Sequence, residues 1–78
     1  RISVTLDRWA RAHALTESET ELLTLGVRGV PRENLAMLRG VRKDTIKKQI
    51  QILIQKTGDA SFEEAVNSFL REALSEPT

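Results

Sequence analysis

The sequence contains no cysteine, so neither disulfides nor a thiolate metal site can brace it. Nothing in it needs an oxidising compartment, and a reduced cytoplasm is the natural setting. Its single histidine, His13, cannot hold a metal without carboxylate help, and neither a metal nor any other cofactor is expected. No apolar run approaches the length of a membrane span and no signal-peptide pattern occurs, so no membrane partner is expected. Repeats, low-complexity stretches and internal linkers are missing too. Catalytic signatures are equally scarce. There is no glycine-rich phosphate loop, no cysteine nucleophile and no metal-spaced cluster. Ser61 and the Glu63-Glu64 pair suit a capped helix start better than acid–base chemistry, and His13 lacks the partners of a triad. The expectation is a protein that is not an enzyme.

What remains is 78 residues, one small domain near the size at which a single core gives only a few kcal/mol of net stability. The sequence begins at Arg1 rather than methionine, which suggests a domain excised from something longer. Its net charge of +1 conceals an uneven distribution. Between Arg28 and Lys56 eight basic residues face two acidic ones, a balance of +6, whereas the rest holds four basic and nine acidic residues, a balance of −5. Such a split suggests one face suited to a polyanion and another kept away from it. The plainer reading is ordinary solvated helix surface.

Apolar spacing and caps predict an all-α fold. Residues 1–14 form an N-terminal segment or linker with two readings. Ile2 to Leu6 alternates like a short strand, or Thr5 caps a short helix carrying Leu6, Trp9, Ala10 and His13 on one side. Trp9, the only tryptophan, fits a core plug or an interdomain contact better than a base-stacking residue. A domain then spans 15–75. Thr16-x-x-Glu19 is a capping box that opens a helix carrying Leu22, Leu23 and Leu25. Gly26 is its weak spot, costing roughly 1 kcal/mol against alanine, and the helix should end between Val27 and Gly29. After Gly58, Ser61-x-x-Glu64 is a second capping box. The last helix bears Phe62, Ala65, Val66, Phe69, Leu70, Ala73 and Leu74 at i, i+3, i+4, i+7 spacing, and residues 76–78 form a tail.

Between these lies the stretch that organises the chain. Pro31 opens a short helix with Leu35, Ala36 and Leu38 facing inward, and Gly40 ends it. A longer helix starts near Arg42 and runs to Gly58. Two helices joined by a tight glycine turn are the grammar of a helix-turn-helix, whose second helix lies in the DNA major groove. At about 100° per residue, Ile46, Ile50 and Leu53 form its buried stripe, while Asp44, Lys47, Lys48, Gln51 and Gln55 fall opposite. Ile52 and Ile54 flank the stripe.

From Leu15 to about Leu74 the sequence resembles the DNA-binding domain of LuxR-type transcription regulators, the four-helix effector module of many response regulators. The resemblance runs without gaps from Leu15-Thr16-x-x-Glu19-x-Glu21-Leu22-Leu23 through Gly29, Leu35-Ala36 and Gly40-Val41. It continues to Thr45-Ile46-Lys47 and Lys56-Thr57-Gly58. It implies sequence-specific binding of double-stranded DNA as part of a transcription regulator. Thr45 would seat the helix on a phosphate, and Lys47, Lys48 and Gln51 would point into the groove. Arg32, Arg42 and Lys43, at the helix starts, fit phosphate clamps that position without specifying. A module of this size buries about 600–1,000 Å² on DNA, so a homodimer on a two-fold operator is expected. The last helix, through Phe62, Val66, Phe69 and Leu70, is its candidate interface.

The chain departs from the family pattern in several places. Asn34 replaces a usual glutamate, and leucine appears at 38 with Arg39 following, where the family has its leucine one residue later. Arg42 replaces a Ser/Thr cap, Gln49 a histidine, and Ile52 a polar residue. Two alternatives stay open. One is a sigma-factor region reading promoters as part of RNA polymerase. The other is a helix-turn-helix retired from DNA and used for protein interaction, for which Ile52 and Ile54 are the motive.

Overall fold

Thr16 begins the domain as its spacing demands. Its hydroxyl accepts from the Glu19 N–H at 3.2 Å while Glu19 Oε1 accepts from the Thr16 N–H at 2.9 Å, so two otherwise orphaned donors are satisfied reciprocally. A computed structural model describes residues 2–75, with side chains from Val4 onward. The tail expected at 76–78 lies outside them. The elements are α1 (Ile2–Ala12), α2 (Glu17–Val27), a 3-10 turn (Arg32–Asn34) running into α3 (Leu35–Arg39), α4 (Lys43–Thr57) and α5 (Phe62–Ser75). The described residues are all-helical, with no strand among them. No helix among them is long and apolar enough to cross a membrane.

The opening segment settles as helix over Ile2–Ala12 rather than as strand. Thr5 is not a cap but an interior residue of α1, nearly fully buried. Trp9 and Ala10 are buried as well, and the Trp9 ring meets Phe69 edge-on at 5.7 Å, so α1 packs into the same core as the rest. An aromatic pair in that geometry adds about 0.5–1.5 kcal/mol beyond its area burial. His13, one turn on, stacks obliquely on Trp9 at 4.4 Å.

The core is built where the apolar stripes meet. Leu22, Leu23, Leu35, Ile46, Ile50, Leu53, Phe62, Ala65, Val66 and Phe69 are all buried. Helix α2 ends at Val27, inside the expected window, yet Gly26 is no simple weak spot. A Cβ built there would lie 2.6 Å from Val66 Cγ2 and 2.8 Å from Phe62 Cζ. Glycine is what lets α2 approach α5 this closely.

The second helix is shorter than its sequence suggests. Pro31 stands outside it with an extended ψ of 145°, and the chain first makes a 3-10 turn before one turn of α-helix. Gly40 closes it in the left-handed conformation (φ 66°). Its N–H donates to Met37 O at 3.2 Å and the Val41 N–H to Ala36 O at 3.0 Å, the Schellman pattern. Leu38, expected inside, is 57 % exposed. Arg39 takes the inward place instead, its side chain only 13 % exposed. The reason is register: Leu35, Ala36 and Arg39 share the packed side of α3, and Arg39 can bury its aliphatic stem while its guanidinium reaches Glu21 at 3.1 Å.

Helix α5 likewise departs from its pattern at one end. Leu74 is 82 % exposed, because at about 100° per residue it stands some 120° round from Phe62, past the edge of the buried stripe. At its start Ser61 Oγ accepts from the Glu64 N–H, but the Glu64 carboxylate reaches back to Ala60 N–H rather than to Ser61. The cap is therefore stretched by one residue, and both side chains are engaged in it.

Candidate nucleic-acid interface

Helix α4 carries the candidate site, and its local chemistry explains its posture. Ile46, Ile50 and Leu53 are buried at 4 %, 2 % and 0 % exposure, which locks one side of the helix onto α2, α3 and α5. Everything roughly opposite must then face solvent. Asp44, Lys47, Lys48, Gln51 and Gln55 are all exposed. Lys47, Lys48 and Gln51 thus stand free on one ridge, with no other part of the described chain over them. Thr45 is half-buried beside the start of this ridge.

The flanking cations gather at the near end. Arg32 lies in the 3-10 turn, and Arg42 and Lys43 at the entry to α4; all three are exposed. Arg32, Lys43 and Lys47 line one open groove of about 370 Å³ together with Ala36, Ile46 and the acidic Glu33 and Asp44. Among the described residues none of Arg32, Arg42, Lys43, Lys47 and Lys48 enters an ion pair. Arg42 occupies the N-cap position with extended backbone, and its side chain makes no capping bond. The first N–H groups of α4 therefore receive no bond from the cap side chain, at the positive end of a 15-residue helix.

Three of the eight basic residues counted in the sequence do not belong to this face: Arg28 lies at the end of α2, beside Leu38 and Arg39, and Arg39 and Lys56 are drawn into ion pairs. Arg39 is folded onto Glu21, and its Nε is buried without a hydrogen-bond partner. Lys56 is folded the other way. Its ammonium donates to Glu19 Oε1 at 2.7 Å and to the Ala14 carbonyl at 3.0 Å, tying the last turn of α4 to the α1–α2 junction. Burial alone would push the Glu19 carboxyl up, but hydrogen bonds from Lys56 and Thr16 and the Lys56 charge together outweigh it and hold the group below its ordinary range. The capping box marked Glu19 as a helix start; nothing in the local sequence pointed to Lys56, 37 residues away, as its partner.

The residues of the expected dimer surface lie on the core side of α5. Phe62, Val66 and Phe69 are 3 %, 8 % and 0 % exposed, and Leu70 is half-buried against the same cluster. Phe62, Val66 and Phe69 close the core of the monomer, while Leu70 keeps part of its side chain at the surface. Their burial has a simple cause: a five-helix domain of this size has one core, and α5 is the element that α1, α2 and α4 all pack against. In comparisons with known proteins the chain matches no family model, no curated protein and no solved structure.

Proposed function

We propose that this domain binds double-stranded DNA in a sequence-dependent way, with α4 in the major groove, as part of a transcription regulator of the LuxR-type that its sequence resembles. The observation that carries the reading is the free ridge of Lys47, Lys48 and Gln51 on a helix whose other side is anchored by isoleucine and leucine. In this reading Lys47 and Lys48 meet guanine O6/N7 or phosphate oxygens, and Gln51 has the donor–acceptor pair that addresses adenine. Arg32, Arg42, Lys43, Thr45 and the open N–H groups of α4 hold the phosphates on either side and set the register. Arg39 and Lys56 take no part, being committed to Glu21 and Glu19.

The test is affinity for DNA as a function of salt. With five free cations, four or five phosphate contacts are available, and log affinity should fall linearly with log salt with a slope of about −4. Selection of bound duplexes from a random pool, repeated with Lys47→Ala and Lys48→Ala, separates the roles. A lost base contact relaxes preference at one position by roughly 1–3 kcal/mol, while a lost phosphate contact weakens all sequences alike. A flat salt response, or no binding at low salt, is the outcome against DNA. It would favour the second reading, a protein-interaction module, for which the exposure of Met37 (74 %) and Leu38 on α3 is the motive.

A further inference from the structure

Every exposed position of α4 from Lys43 to Gln55 is polar or charged except one. Ile52 is 45 % exposed, and it stands one turn beyond Lys48, about 40° round the helix axis from it. It also lies on the flank of Thr45, seven residues earlier and about 20° away, so the two share the side of the ridge that faces one wall of a groove. Ile46, Ile50 and Leu53 fill the core without it.

The major groove of DNA offers a single kind of aliphatic group, the C5-methyl of thymine; the other groups that identify a base pair there are hydrogen-bond donors and acceptors. That methyl stands at the side of the groove, towards the backbone of its own strand. An isoleucine on the edge of a reading ridge, next in sequence to Gln51, therefore has one apolar match in the groove. We infer that Ile52 is a specificity-determining residue that packs on a thymine methyl beside the base pair met by Gln51, so that this half of the helix selects an A·T-containing step. The inference rests on the DNA-reading role proposed above.

The experiment uses the duplex that the protein itself selects from a random pool, with each thymine replaced in turn by deoxyuridine, which removes the methyl and nothing else. Wild-type protein should bind about fourfold more weakly at one substituted position, the factor that burying one carbon-sized apolar group gives. Ile52→Ala should bind the thymine and deoxyuridine duplexes equally, and Ile52→Val should keep part of the difference. Since the side chain is a surface one, a circular-dichroism spectrum and melt identical to wild type accompany these variants. Sequence-selective binding with no deoxyuridine effect, or an effect that Ile52→Ala retains, overturns the role of Ile52 and leaves DNA reading standing. Absence of DNA binding at low salt overturns both.

Discussion

Replacing Gly26 by alanine sets a local rule against a tertiary one, and the two disagree in sign. In an exposed helix interior the change stabilises by about 1 kcal/mol, because glycine gives up more backbone freedom on folding. In this protein the new methyl would sit 2.6 Å from Val66 Cγ2 and 2.8 and 3.0 Å from two carbons of the Phe62 ring. Carbon atoms attract best at about 3.5–4.0 Å, so each contact is short by roughly 0.5–1 Å. The neighbours cannot yield separately. Val66 is held to one rotamer by its helical backbone, Phe62 is buried one turn away, and both belong to α5. Relief requires α5 to back away from α2, and overpacking of this kind costs about 1–3 kcal/mol. With the opposing helix gain of about 1 kcal/mol subtracted, the expected result is a net loss of up to about 2 kcal/mol. In a domain this small each kcal/mol lowers Tm by roughly 4–8 °C. Urea and thermal unfolding followed by far-ultraviolet circular dichroism measure it. Introduced together with Val66→Ala, the substitution should cost less than it does alone, since one of the two clashing groups is gone. A Gly26→Ala protein that is about 1 kcal/mol more stable than wild type would refute the close-approach argument outright.

Three other substitutions follow from the same geometry. The Glu19 carboxyl is held below its ordinary range in the fold, so its contribution is complete above the unfolded carboxylate range and disappears as pH falls through the folded value. Glu19→Gln should cost about 1–2 kcal/mol at neutral pH and little in strong acid; a gap in urea midpoint that is equal at both would contradict the Lys56 tie. Arg39→Leu removes a buried Nε that lacks a partner and an ion pair whose Glu21 end is exposed. Chemical denaturation should find it within about 1 kcal/mol of wild type or more stable, with DNA affinity unchanged; a loss beyond that range argues against the buried-stem description. Ala14 holds a left-handed backbone (φ 56°) that costs a non-glycine residue about 1–2 kcal/mol, and Ala14→Gly should raise stability by up to about 1 kcal/mol after the unfolded-chain entropy is counted. A lower urea midpoint for that variant would show the turn to be unstrained.

Much of the candidate site was readable beforehand because its cause is periodic. Once Ile46, Ile50 and Leu53 are given to the core, the positions of Lys47, Lys48 and Gln51 follow from about 100° per residue. Charge counting was less reliable. It credited Arg39 and Lys56 to the basic stretch, and both turned out to be paired with carboxylates on α2. Leu38 and Arg39 misled for a related reason: residue type favoured the leucine for the inside, whereas the 3-10 entry and the Gly40 exit set the rotation of a one-turn helix and turned the arginine inward. The opening segment was ambiguous because eleven residues with two plausible periods carry no internal arbiter, and Trp9 meeting Phe69 across the fold supplies one.

The starts of α2 and α5, the stops of α3 and α4, and the side of α4 that must stay wet, were determined by the sequence alone. Thr16, Gly40, Gly58 and Ser61 act on donors and acceptors within four residues of themselves, so no distant partner is needed to place them. Only the tertiary structure decided that Gly26 is a crossing point, that Phe62, Val66 and Phe69 of α5 are buried within the monomer, and that Arg39 and Lys56 are withdrawn from the basic face. Those outcomes depend on which surfaces meet across the core, and contact between residues far apart in the chain has no local signature.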